Sequence, residues 1–237
     1  MAGAGDGSTR VSAGFPFADR AEGGRVLAAA LVGHVPADAV VLGLPRGGIP
    51  VAYEVARAFA CALDILVVRK LGVPGHEELA MGAIASGGAR VLNEDVIDDH
   101  GIPSAAIERA VARETEELRR REAAYRGDRV PLDLAGRTVV LVDDGLATGA
   151  TMRVAVLAAR AAGASHVVVA VPVAAQDTCV ALRQLADEVV CAMTPEPFYA
   201  VGAWYHEFSP TSDDEVRGLL AASQAASRPP EGDASQR

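Results

Sequence analysis

The sequence predicts an α/β fold in which a parallel sheet is covered by helices on both faces. Two observations carry that prediction. Short β-branched runs alternate with helical stretches along most of the chain, and the runs are apolar almost without interruption, as strands buried on both faces must be. The chain has 237 residues, of which 50% are hydrophobic, enough for one domain that buries a sizeable core without disulfides or structural metal.

The elements follow in order. Residues 1–14 are rich in Gly, Ala and Ser and are expected to be disordered, so the domain is predicted to span residues 15–220. A helix over Ala18–Val32 leads to the first strand, Ala39–Leu44 (AVVLGL). Pro45-Arg46-Gly47-Gly48 then turns the chain into a helix over Pro50–Ala60, where proline suits the first turn. Leu63–Arg69 (LDILVVR) reads as the next strand. Met81–Leu92 reads as a hairpin turning at Gly87-Gly88, and Ser104–Arg126 as a long exposed helix. Ile107, Val111, Leu118 and Tyr125 form its narrow apolar stripe, with Glu116–Arg120 and Glu117–Arg121 spaced for ion pairs on the wet side. The βα rhythm resumes with Thr138–Val142, Thr151–Ala162, His166–Val171, Ala175–Ala186 and Glu188–Ala192. Ser212-Asp213-Asp214-Glu215 has capping-box spacing and starts a last short helix. Residues 221–237 are small, polar and proline-bearing and are expected to form a disordered tail.

Charge and cysteine usage exclude several classes. With 22 Lys+Arg against 31 Asp+Glu, the formal charge of -9 disfavours a nucleic-acid partner, which requires a basic face. No apolar run approaches the roughly 20 residues that span a bilayer, so no membrane partner is expected. Cys61, Cys179 and Cys191 are odd in number, widely spaced and without a C-x-x-C pair, which argues against a disulfide scaffold or zinc module. The expected location is the reducing cytoplasm.

The chemistry concentrates in TVVLVDDGLATGATMRV, Thr138–Val154. A buried strand runs into two carboxylates, Asp143 and Asp144, and then into a small-residue turn, Ala147-Thr148-Gly149-Ala150-Thr151, that opens a helix. Ligands bind beyond the carboxyl ends of strands in open α/β sheets. A small-residue turn before a helix presents backbone N–H groups and a positive dipole end to an anion. The carboxylates suit sugar hydroxyls or metal-bound water, so a phosphorylated sugar matches both halves. No Lys follows the glycine as a Walker A loop demands, and no G-x-G-x-x-G occurs. Likewise His76-Glu77-Glu78 lacks the second histidine of a zinc peptidase.

VVLVDDGLATGAT resembles the signature of the type I phosphoribosyltransferases, and the resemblance covers most of Phe15–Leu220. It implies a Rossmann-like parallel sheet flanked by helices, with a small hood subdomain at about 195–211 and a helical insertion at about 93–129. It implies transfer of 5-phosphoribosyl from its diphosphate to a nitrogen nucleophile, a nucleobase by family expectation, with Mg²⁺ as cofactor and a homodimer as assembly. The same fold also serves regulators that bind the sugar diphosphate without turnover. In the implied site, Asp143 and Asp144 contact the ribose hydroxyls and, through water, Mg²⁺, while Ala147, Thr148, Gly149, Ala150 and Thr151 wrap the 5-phosphate. Ala150 stands where a second glycine is common, and Ala147 where enzymes of 6-oxopurines usually carry Asp. Arg46, Gly47 and Gly48 match the pyrophosphate loop. Arg69 and Lys70, the chain's only lysine, match a basic pair on the leaving group, with Leu71–Gly82 as a closing lid in which Glu77 or Glu78 is a candidate base. Phe198, Tyr199 and Trp204, from an aromatic-rich segment after the last strand, fall where the hood stacks on the acceptor.

Overall fold

A computed structural model describes residues 16–127 and 129–227; the expected disordered start at 1–14 and the end of the tail, 228–237, lie outside the described residues. The chain runs through α1 (Arg20–Ala30), β1 (Val40–Gly43), α2 (Gly48–Phe59) and β2 (Ala62–Ile65) before an antiparallel excursion, β3 (Val68–Val73), β4 (His76–Ala85) and β5 (Arg90–Leu92). Two helices follow, α3 (Glu94–Asp99) and α4 (Ser104–Arg126). The alternation then resumes with β6 (Thr138–Val142), α5 (Ala150–Ala161), β7 (His166–Val173), α6 (Gln176–Leu182), β8 (Glu188–Met193) and α7 (Asp213–Ser227).

Five strands form a parallel sheet in the order β2-β1-β6-β7-β8. The side-chain alternation of strands sorts its residues into two layers. Val41, Val140 and Val168 pack with Leu27, Val51 and Val55 of α1 and α2, while Val40, Leu141 and Val169 pack with Met152, Val156 and Ala159 of α5. Valine serves both layers because each strand is covered on both sides, which is why the runs read as continuously apolar.

The smaller sheet, β3-β4-β5, contains the expected hairpin: Gly82 pairs with Leu92 and Ala83 with Val91 around a turn at Ser86–Gly88. The expected strand Leu63–Arg69 is two strands. The main sheet keeps the chain only to Ile65, and Leu66-Val67 carry it across to β3, where the Val67 N–H donates to the Ser86 hydroxyl at 2.9 Å. The expected loop Leu71–Gly82 is therefore largely β-structure, closed by a turn at Pro74-Gly75 where Gly75 has φ +80°.

Helix α4 is anchored by charge as well as by its apolar stripe. Arg126 donates to Asp64 of β2 at 3.1 Å, with both side chains 8% exposed, and Glu114 accepts from Arg69 of β3. On its wet side the expected Glu116–Arg120 pair is replaced: Arg120 turns to Glu117, which also accepts from Arg121, and the two guanidiniums hold the Glu117 carboxyl down at about 2. Helix α7 runs to Ser227, past the expected domain limit at Leu220, because fully buried Val216 and Leu220 tie it to the core beside α2 and α4. The cysteine expectation is also corrected. Cys179 of α6 and Cys191 of β8 form a disulfide, since the chain doubles back between helix and strand and brings residues 12 apart together; Cys61 is free and buried. Among the described residues no helix is long and apolar enough to cross a membrane.

Candidate functional site

The chain leaves β1 for β2 on one side and later returns to build β6, β7 and β8 on the other. The connections after β1 and β6 thus diverge from neighbouring strand ends, with Gly43 paired to Val142, and it is outside such a switch point that open α/β sheets place their ligand crevice. Both predicted motifs, 45–48 and 143–151, flank it.

The two loops touch. A Cβ on Gly47 would collide with Asp144 Oδ2, and one on Gly48 would lie 2.7 Å from the Val142 carbonyl and 3.1 Å from Asp143 Oδ1. Glycine is required there because the loop presses on the acidic pair. The Pro45–Arg46 peptide is cis.

The acids are held in a charged frame. Arg20, in the first turn of α1, donates from Nε to Asp144 Oδ2 at 2.8 Å, and its Nη1 donates to the Ser209 carbonyl at 2.7 Å. Its guanidinium lies 3.9 Å from the centre of the Phe208 ring. The Tyr205 hydroxyl donates to the Asp144 carbonyl at 2.5 Å, and the Asp144 N–H donates to Asp143 Oδ1 at 2.9 Å. Burial pushes the Asp143 carboxyl well above the usual carboxylate range, and the neighbouring Asp144 charge pushes it further. Burial also raises Asp144, with Arg20 opposing the rise. Burial lifts the Tyr205 phenol out of any physiological titration, so it stays a donor. Arg20 and Tyr205 are the site residues that sequence reasoning missed. Only the clustering of aromatics near Tyr205 hinted at them, since a partner 124 residues away leaves no local pattern.

Beyond the acids, Gly149 caps α5 in the left-handed conformation at φ 70°, with no side-chain cap on the helix. The first N–H groups of α5 therefore open onto the loop, as anion binding requires. Ala150, where a second glycine is common, is already helical and needs no such freedom. Thr148 and Thr151 are exposed, and the loop is braced from α6, whose Thr178 hydroxyl donates to the Ala147 carbonyl at 2.5 Å.

The structure does not unite the basic residues. Arg46 is half exposed and lies 3.7 Å from Asp213 at the start of α7. Arg69 donates to Glu114 from Nε at 3.0 Å and from Nη2 at 2.6 Å, so its guanidinium is committed to α4. Lys70 is exposed on the opposite face of β3, as adjacent strand residues must be. Glu77 is exposed near the hairpin turn, and the Glu78 side chain lies outside the described residues. Of the aromatics expected in a hood, Phe198 and Trp204 pack with Phe17, Tyr205 and Phe208 in one apolar cluster, while Tyr199 stands 81% exposed. Buried Trp204 Nε1 has no hydrogen-bond partner among the described residues. The segment expected to form the hood rests on the loop after β6, because a Cβ on Gly145 would meet Val201 at 2.5 Å.

A parallel sheet with paired acids and an open helix N-terminus at its switch point defines the class of α/β proteins that bind ligands beyond the strand ends. Comparison identifies the family: the chain belongs to the phosphoribosyl transferase domain family, whose model matches residues 22–200. Two proteins of Mycobacterium tuberculosis, from strains CDC 1551 and H37Rv, carry provisional phosphoribosyl transferase names and are 50% identical over 204 residues. The match covers 86% of this chain and 46% of each relative, so the chain spans about half their length. The crystal structure of TT1426 from Thermus thermophilus superposes with a TM-score of 0.77 at 43% identity, covering 88% of this chain and 99% of that one.

Proposed function

We propose that the protein transfers 5-phosphoribosyl from its 1-diphosphate to a ring nitrogen of a nucleobase. The C1–O bond to the diphosphate breaks, its electron pair leaves with pyrophosphate, a C1–N bond forms, and the acceptor's proton passes to water. One observation carries the reading. Two consecutive, partly buried carboxylates stand at the end of the central strand, directly before a loop that opens onto a helix N-terminus. In this reading Asp143 and Asp144 hold the ribose hydroxyls, and residues 147–151 hold the 5-phosphate through backbone N–H groups and the Thr148 and Thr151 hydroxyls. Arg46 and Lys70 face the leaving group, and Phe198, Tyr199 and Trp204 border the acceptor.

The residues fit Mg²⁺ bound mainly through the substrate. Two adjacent carboxylates with raised affinity for protons carry negative charge that a divalent cation would offset. No group of three or more ligating side chains occurs among the described residues, so substrate oxygens and water would complete the shell. When bound, the ion would neutralise charge on the diphosphate. The protein's own part is orientation of the sugar, with the hood and the β3–β4 hairpin limiting water.

Arg69 favours a second reading, a protein that senses the sugar diphosphate without turnover. Its pairing with Glu114 leaves Lys70 as the only member of the basic pair available to a leaving group. Titration with 5-phosphoribosyl 1-diphosphate and Mg²⁺, followed by a pyrophosphate-release assay across a panel of nucleobases, separates the two. Release with one base, lost in the Asp143→Asn, Asp144→Asn double variant, supports transfer. Binding without release against every base supports the sensor.

A further inference from the structure

A cationic cavity is lined by the β1–α2 loop, α4 and the start of α7. Arg46, Arg120, Arg121, Ala124, Tyr125 and Asp213 line a space of about 160 Å³. A single water needs roughly 10–15 Å³, so a tetrahedral oxyanion and its waters fit. Three guanidiniums face this space, supplied by the β1–α2 loop and by α4, in a chain whose formal charge is -9.

The carboxylates nearby do not saturate them. Glu117 alone serves both arginines of α4, accepting from Arg120 Nε at 2.7 Å and Nη2 at 2.9 Å and from Arg121 Nε at 2.8 Å. Those bonds leave Arg120 Nη1 and both terminal nitrogens of Arg121 as donors. Asp213 already accepts from the Tyr125 hydroxyl at 2.9 Å and stands 3.7 Å from Arg46, beyond hydrogen-bond range. Three positive groups therefore share two carboxylates, and the unused N–H donors belong to planar forks whose geometry matches phosphate oxygens.

We propose that this cavity is a phosphate-binding site distinct from the sugar-phosphate crevice, taking inorganic phosphate or the terminal phosphate of a polyphosphate. Arg46 is its shared wall, so an anion held here competes with the crevice for one guanidinium, and each ligand weakens the other. The site draws its specificity from α4, the segment inserted between the two halves of the fold.

Isothermal titration with inorganic phosphate, and separately with pyrophosphate, tests the proposal in Mg²⁺-free buffer at fixed ionic strength, with no turnover required. Three proteins are compared: the unmodified chain, Arg120→Ala with Arg121→Ala, and Thr148→Ala with Thr151→Ala, which strips the hydroxyls from the crevice's own phosphate loop. Arg120 and Arg121 are 68% and 41% exposed in their side chains, so their removal spares the core. The expected result is at least a tenfold loss of one binding component in the arginine variant and its retention in the threonine variant. Preference for phosphate over pyrophosphate identifies a free single phosphate as the ligand, and the reverse identifies a polyphosphate end. A lysine pair, Arg120→Lys with Arg121→Lys, keeps the charge but loses the fork and is expected to recover only part of the affinity. Unchanged titration of the arginine variant overturns the proposal, as does binding lost only in the threonine variant, which would place the anion in the crevice.

Discussion

Arg20 joins Phe208 and Ser209 to Asp144, and Arg20→Met tests that link most directly. Methionine keeps an unbranched stem beside Phe208 and removes the charge. The substitution deletes a charge-assisted bond to Asp144 at 2.8 Å, a second bond to the Ser209 carbonyl at 2.7 Å and the stacking on Phe208. The Arg20 and Asp144 side chains are 12% and 15% exposed, so solvent screens the pair only weakly. Hydrogen bonds to charged groups contribute about 1.5–3 kcal/mol each, partly recovered here by water entering the crevice, and we expect a net loss of about 2–4 kcal/mol. For a domain of this size that lowers the melting temperature by roughly 5–15 °C. The pH dependence follows from Asp144. Its folded-state carboxyl already sits above the unfolded value, and without Arg20 it rises further. A raised carboxyl contributes stability below the unfolded value, about 3.9, and loses it as pH rises through the folded one. The gap between variant and parent should therefore be small near pH 4 and widen toward pH 7. Thermal melts at several pH values, with a double-mutant cycle against Asp144→Asn, measure this. A coupling below about 0.5 kcal/mol at pH 7 would falsify the assignment of Arg20 to Asp144.

Three further outcomes follow from the geometry. Asp143→Asn should stabilise the unliganded protein near pH 7 and lose that advantage toward pH 4, because burial and the Asp144 charge raise the native carboxyl; pyrophosphate release should vanish in the same variant, and a melting temperature below the parent at pH 7 would contradict this. Gly149→Ala forces a Cβ into a left-handed residue and to 2.7 Å from Thr178 Cγ2, so KM for the sugar diphosphate should rise about tenfold with a smaller change in kcat; steady-state kinetics showing the reverse split would separate the loop from phosphate binding. Asp64→Ala strips the carboxylate from Arg126, which is 8% exposed, and from the Leu132 N–H, so urea unfolding should show a loss of about 3–5 kcal/mol, and a loss under 1 kcal/mol would mean that α4 is not anchored there.

The sheet and the signature loop were legible because their information is local. Buried valine runs, an Asp-Asp pair at a strand end and a Gly-Thr turn each depend on near neighbours. The break at Leu66-Val67 was not, since an apolar run reads alike whether it stays in one sheet or crosses to a second. Composition also set the tail too early: Ala, Ser and Gln around Ser223 look featureless, yet the helix continues because Val216 and Leu220 have already docked it. Arg69 shows a subtler failure. Its place beside Lys70 suggested a shared task, but strand alternation sends the two side chains apart, and Glu114 arrives from a helix that local patterning could not orient.

The arrangement of the acids ties stability to binding. Two carboxylates raised by burial cost the unliganded protein free energy at neutral pH, and Arg20 offsets only part of that cost because it hydrogen-bonds Asp144 and acts on Asp143 only through space. A ligand that brings hydroxyl donors, or a cation, to Asp143 relieves the remainder, so binding energy at this point includes the release of pre-existing electrostatic stress. The same logic places the 205–209 segment. Tyr205 and Arg20 touch the backbone and side chain of one aspartate, and Phe208 stacks on both Tyr205 and Arg20. The acidic pair and the 205–209 segment therefore form one packed unit, and a substitution that displaces Asp144 should be felt at Tyr205, Arg20 and Phe208.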